Sequence, residues 1–107
     1  MAQRQEIAVY NNPGSNRYEA SVEGELAGFA YYRLDPGQVV FVHTEVRDSY
    51  EGQGVGGALA GAALDDVRAQ GKKAAPVCDF IAGYIRRHPD YADLLDEAYR
   101  DEVLPNS

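Results

Sequence analysis

The chain of 107 residues has little sulfur: one cysteine, one methionine, and no tryptophan besides. A lone thiol, Cys78, excludes an internal disulfide, and with only two histidines the usual structural zinc sites are excluded too. No run approaches the ~20 apolar residues that cross a bilayer as a helix. The opening Met-Ala-Gln-Arg-Gln-Glu lacks the apolar stretch of a secretory signal, so the cytoplasm is the expected compartment. Linkers, repeats and low-complexity stretches are missing as well. This length supports one core, so residues 1–107 are read as a single domain. Basic residues are scarce: 10 Lys and Arg face 17 Asp and Glu, a net charge of −7. That excess repels phosphate backbones and argues against general nucleic-acid binding, while it favours solubility and cationic partners.

The charge is uneven. Arg68, Lys72, Lys73, Arg86 and Arg87 lie between Val67 and His88, opposed only by Asp79. Further on, Asp90, Asp93, Asp96, Glu97, Asp101 and Glu102 face only Arg100. A basic stretch in an acidic chain points to a bound anion, or to solvated helix ends where cations are favoured anyway.

The first half has the patterning of strands. Ile7–Asn11 ends in Asn-Asn-Pro-Gly-Ser-Asn, a dense turn signal. Arg17–Val22 leads into Glu23-Gly24, a hairpin candidate. Leu26–Leu34 runs to the turn Asp35-Pro36-Gly37, and Val39–Val46 is a β-branched strand. Strict alternation predicts that Val40, Val42, Thr44 and Val46 share one face of it, and Val39, Phe41, His43 and Glu45 the other. The second half turns helical. From Gly54, apolar residues recur at Val55, Leu59, Ala62, Ala63 and Val67, with Gly71 as a terminal cap. Lys73–Val77 reads as a short strand, and Pro76 points to an edge or splayed position. Asp79–Arg87 reads as a helix closed by His88-Pro89, and Tyr91–Val103 as a last, acidic helix. The predicted class is α/β (α+β): hairpin-linked strands, a crossover helix, one more strand, a second helix and a tail helix around a mixed sheet.

Glu51-Gly-Gln-Gly-Val-Gly-Gly57 sits between the best strand and the best helix. The first amides of a helix have no internal partner and carry the positive end of its dipole, which suits a phosphate. The ATP-type loop is excluded, because Ala58-Leu59 stands where Lys and Ser or Thr are required. Gly52, Gly54 and Gly57 spell a dinucleotide pattern, with Asp79 placed 22 residues on. Arg47–Glu51 intervenes after the strand, however, and a single crossover follows where that fold needs several.

Taken in order, Asn11-Asn12, Arg17-Tyr-Glu-Ala20, Gly28-Phe-Ala-Tyr31, His43-Thr-Glu-Val46, Glu51–Gly56, Pro76-Val-Cys-Asp-Phe80 and His88-Pro-Asp-Tyr91 resemble the GNAT superfamily, specifically its short GNAT-like N-acetyltransferase branch. The resemblance implies a twisted mixed sheet of about five strands and acetyl-CoA (coenzyme A) as cofactor. It implies a strand bulged before the glycine loop and splayed from its neighbour, with pantetheine in the gap. Thr44 and Val46 match the pantetheine-contacting strand, and Gln53, Gly54, Val55, Gly56 and Gly57 the pyrophosphate loop. Glu51 departs from the superfamily's usual Arg or Gln. Another departure is that only Asn12–Asn16 separates the first two strands, where larger members have helices walling the acceptor site, so an open acceptor side is expected. The reaction implied is acetyl transfer to a primary amine; the net charge of −7 and the open acceptor side favour a basic small molecule or a protein lysine as that amine. A CoA-binding module without turnover, and a pure interaction domain using the acidic tail, are the alternatives. A monomer or weak homodimer is expected.

Acetyl transfer needs a base for the amine, a donor for the thioester oxygen and a proton for the leaving thiolate. The expected donor is the Val46 N–H, freed by the bulge. His43 and Glu45, one strand repeat apart, are the candidate bases. Cys78 lies at a strand end beside a helix start, where a thiol becomes more reactive, and could carry the acyl group or line the cleft. Tyr84 is the candidate acid for the thiolate, or a packing residue.

Overall fold

A computed structural model describes residues 6–104. Met1–Gln5, on which the expectation of no secretory signal partly rests, and residues 105–107 lie outside them. Strands β1 (Ile7–Asn12), β2 (Arg17–Val22), β3 (Glu25–Asp35) and β4 (Gln38–Val46) are followed by helix α1 (Val55–Ala69), strand β5 (Lys73–Pro76) and helices α2 (Asp79–Arg87) and α3 (Glu97–Val103). The sheet order is β1-β2-β3-β4-β5; the first four strands are antiparallel neighbours, and β5 lies parallel to β4 after the α1 crossover. This is the mixed α/β sheet that the sequence predicts.

Local chemistry explains the hairpins. Glu23 and Gly24 have φ of 52° and 84°, the two left-handed residues that a tight hairpin between right-twisted strands requires. Between β1 and β2, Pro13–Ser15 forms only a short 3-10 turn, so no helix is inserted there. One sheet face is covered. Val55, Leu59, Ala60, Ala63, Leu64 and Val67 of α1 are buried in one core with Tyr18, Ala20, Ala30, Tyr32, Val39 and Phe41. Tyr18 ties sheet to helix by donating its hydroxyl to Asp66 Oδ2 at 2.6 Å. Burial, aided by that carboxylate, pushes the phenol's pKa well above its usual range.

The strict alternation expected for β4 fails at one residue. Tyr31 pairs with His43, but Tyr32 pairs with Phe41, so Val42 is an extra, bulged residue. Phe41 faces Tyr32, Thr44 faces Ala30 and Val46 faces Gly28 across the sheet. Val39 and Phe41 therefore share the helix-covered face with Thr44 and Val46, while Val40 falls on the face of His43 and Glu45.

The tail also differs from one continuous helix. Pro89–Leu94 is a 3-10 stretch, and Leu95 then bridges to Ala74 at the edge of β5. Leu94 and Leu95 are buried, which holds the chain against the sheet and interrupts the helical run. Asp96 restarts it as the cap of α3, its carboxylate accepting from the Ala98 N–H at 3.1 Å.

Candidate functional site

β5 ends early. Its last paired residue, Pro76, lies opposite Phe41, and the Cys78 N–H makes one more link to the Phe41 carbonyl at 3.0 Å. Beyond Phe41, β4 keeps β3 as its neighbour on one side and has no strand on the other. The register decides which backbone groups face the gap. Arg47 N–H donates to Ala27 O at 2.8 Å, and Gly28 lies opposite Val46, so Gly28–Val46 is a non-hydrogen-bonded pair. The Val46 N–H therefore turns away from β3, and Thr44, two residues back, does the same. Here the expectation is corrected in its cause. The bulge sits at Val42, well before Val46, and the Val46 amide is open because β5 has stopped.

The gap opens into a cleft of about 640 Å³. Thr44 and Val46 line it from β4, and Tyr50, Glu51, Gly52 and Gly54–Gly57 from the connection and the start of α1. Phe80, Tyr84, Arg87 and His88 line it from α2 and its end. Gly54 caps α1 at φ 84°, a conformation that a side chain resists, and so lets the chain turn into the helix with its first amides exposed. Gly56 serves packing: a Cβ there would lie 2.6 Å from the Phe80 ring. Tyr84 continues the contact. A Cβ on Gly61 would meet its hydroxyl at 2.9 Å, so that hydroxyl rests on the second turn of α1.

Thr44, Val46, Gly54, Val55, Gly56, Gly57 and Tyr84 thus surround one cleft. The Gln53 side chain is elsewhere, donating to the Ser49 carbonyl at 3.1 Å. Cys78 stands at the splay point, immediately before α2, with Sγ 3.4 Å from Thr44 Oγ1. His43 and Glu45 project from the opposite face of the same strand, where His43 Nε2 meets Glu45 Oε1 at 3.1 Å. That face carries no inserted helix, and Tyr10, Tyr31 and Val42 are exposed on it at 48%, 37% and 45%. Arg17 bridges its middle, with Nε 2.6 Å from the buried Glu19 and a donated bond to Tyr31 Oη at 3.0 Å. The Arg17 guanidinium, with help from Asn12, holds the Glu19 carboxyl below the usual carboxylate range.

Sequence reasoning missed Tyr50, Phe80 and His88, and it singled out Arg87 only as one member of the basic stretch. A signal for Phe80, Arg87 and His88 was present: positions 80, 84, 87 and 88 fall on one helical stripe. The basic cluster is sorted by the fold. Arg68 grips Asp93 at 2.8 and 3.1 Å, Lys73 donates to Asp93 O, and Arg86 donates to Val103 O. Only Arg87 of that cluster lines the cleft.

The mixed sheet with its split strand pair and glycine-started helix defines the GCN5-like N-acetyltransferase fold. The solution structure of a GCN5-like candidate N-acetyltransferase from Staphylococcus aureus superposes with a TM-score of 0.64 at 25% identity, covering 89% of this chain and 91% of that one. Residues 17–94 match the GCN5-related N-acetyl-transferase family, and the chain belongs to it. A stretch of 47 residues is 45% identical to Protein NATD1 of Gallus gallus and of Homo sapiens. It covers 44% of this chain and 43% and 42% of those proteins, so the match spans less than half of the relatives' length.

Proposed function

We propose that the protein is an acetyl-CoA-dependent N-acetyltransferase acting on a primary amine. Family membership supports acetyl transfer in general. The observation that carries the finer reading is the pair of outward amides at Thr44 and Val46, on a strand edge without a partner and beside the glycine start of α1. These groups fit CoA. A strand edge pairs with an extended, amide-bearing arm, and the free first amides of α1 suit a pyrophosphate.

When bound, acetyl-CoA supplies a thioester carbonyl. The Val46 N–H is the donor for its oxygen. The acceptor approaches from the open face. Glu45, a carboxylate, only accepts, so His43 Nε2 carries the proton toward it and Nδ1 is left with a free lone pair. His43 Nδ1 takes the proton that the attacking amine loses, and Glu45 stabilises the resulting imidazolium. Cys78 stands beside the cleft, next to Thr44 at the splay point. Tyr84 lines the cleft with its hydroxyl close to Gly61, and it is the candidate donor of the proton that the leaving thiolate takes up. The charge of −7 favours a cationic acceptor, a polyamine or a lysine side chain, with an advantage that weakens as salt rises.

The test is acetyl-CoA consumption, with intact-mass readout, against polyamines, amino acids and lysine peptides. The expected result is release of CoA only when an amine is present, with no acetyl adduct on the protein. A single-acetyl adduct formed by acetyl-CoA alone and lost in Cys78→Ala would contradict direct transfer and route the acyl group through the thiol. Stoichiometric CoA binding with no consumption across the panel would overturn the enzyme reading and leave a binding module.

A further inference from the structure

Arg87 stands apart from every other arginine among the described residues. Arg17, Arg33, Arg47, Arg68, Arg86 and Arg100 each donate at least one hydrogen bond within that part of the chain. Arg87 donates none there, and it lines the cleft. An arginine offers a planar fork of donors matched to phosphate, and leaving that fork unengaged beside a cavity suits it to an anion.

Its place along the cleft says which anion. Thr44 and Val46 mark one end. The glycine loop follows, with Phe80 of α2 packed on Gly56. One turn further, Tyr84 lies over Gly57 and Gly61. Arg87 and His88 come last, ~10 Å along α2 from Phe80 by helical rise. CoA has the same linear order: thioester, pantetheine, pyrophosphate, then a ribose bearing a 3′-phosphate. His88 completes the far end. Its ring stacks on Tyr84 with centroids 4.0 Å apart, and its Nδ1 donates to the Tyr84 carbonyl at 2.9 Å, which holds the imidazole as a fixed wall beside Arg87. Glu51 lines the loop, so Arg87 is the one Lys or Arg among the lining residues.

We infer that Arg87 binds the 3′-phosphate of CoA, so that the protein discriminates CoA from 3′-dephospho-CoA. The inference rests on the CoA reading given above and names the residue that sets cofactor specificity within it. The test is calorimetry with CoA and dephospho-CoA on the wild type, Arg87→Gln, Arg87→Lys and Arg86→Gln. The wild type should bind CoA roughly 10- to 100-fold more tightly than dephospho-CoA, the range of a charge-assisted contact. Arg87→Gln should bring the two affinities within about twofold by weakening CoA alone, since the contact that favours it is removed. Its retained affinity for dephospho-CoA shows that the variant is folded. Arg87→Lys should keep part of the preference. Arg86→Gln, with the same change in net charge next door, should keep all of it. Equal wild-type affinities, or an equal loss in Arg86→Gln, would overturn the assignment while leaving CoA binding intact. Failure of the wild type to bind either compound would instead overturn the CoA reading, and the assignment with it.

Discussion

Along β4, the residues before Val42 and those after it meet different surroundings. Val39, Val40 and Phe41 are 1%, 2% and 0% exposed and have a strand on either side. His43 and Glu45 have side chains 58% and 56% exposed, and the edge that they share with Thr44 and Val46 is unpaired. The residue types change across the divide, from Val39, Val40 and Phe41 to His43, Thr44 and Glu45. One inserted residue and the early end of β5 turn that change into two different surroundings. The bulge keeps Thr44 and Val46 on the helix-covered side and sends His43 and Glu45 to the other. The missing neighbour frees backbone amides between the two faces. A buried, doubly paired stretch and an exposed, open-edged one thus follow each other on a single strand.

If that division is real, variants on the two sides should fail differently. The largest effect is expected at Phe41. It is fully buried against Tyr18 and Tyr32, so Phe41→Ala should cost about 3–5 kcal/mol of unfolding free energy. Denaturant titration measures this. The fraction that remains folded should still bind CoA as the wild type does.

His43→Ala should have the reverse profile. Turnover should fall about 100-fold, or ~2.7 kcal/mol in the barrier, with the denaturation midpoint and CoA affinity unchanged. A matching loss of CoA affinity would place His43 in the cleft instead of on the open face.

A smaller effect is expected from Glu19, which supports the open face next to that site. Its carboxylate is held below its ordinary pKa, chiefly by Arg17, so its contribution to stability is present above the usual carboxylate range. That contribution disappears as pH falls through the lowered value. Glu19→Gln should therefore cost about 1.5 kcal/mol at neutral pH, and the gap from the wild type should close in acid. Denaturation midpoints between pH 7 and pH 2 give the comparison. A pH-independent gap would mean that the loss is steric.

Much of the fold was legible because its signals are local. Glu23-Gly24 and Asp35-Pro36-Gly37 mark their turns, and α2 begins and ends at the predicted Asp79 and Arg87. The bulge at Val42 was not legible. No glycine or proline marks it, and a run of β-branched residues reads the same with or without one extra member. The face assignment for Phe41 failed for that reason. In the cleft, the glycine loop and the Thr44–Val46 edge were visible as motifs, while Arg87 and His88 depended on α2 packing onto α1. Gly56 shows the limit most directly. Its place in a phosphate-like motif hid the fact that Phe80 occupies the space of its missing side chain.

The central claim is that the unpaired end of β4, and not the open face of the sheet, receives CoA. Amide resonances followed by NMR during a CoA titration test it residue by residue. The account predicts saturable shifts at Thr44, Val46, Gly54–Gly57 and Cys78, with Tyr10, Glu19 and Phe29 unmoved. Saturable shifts confined to Tyr10, Glu19 and Phe29, with Thr44 and Val46 silent, would contradict it.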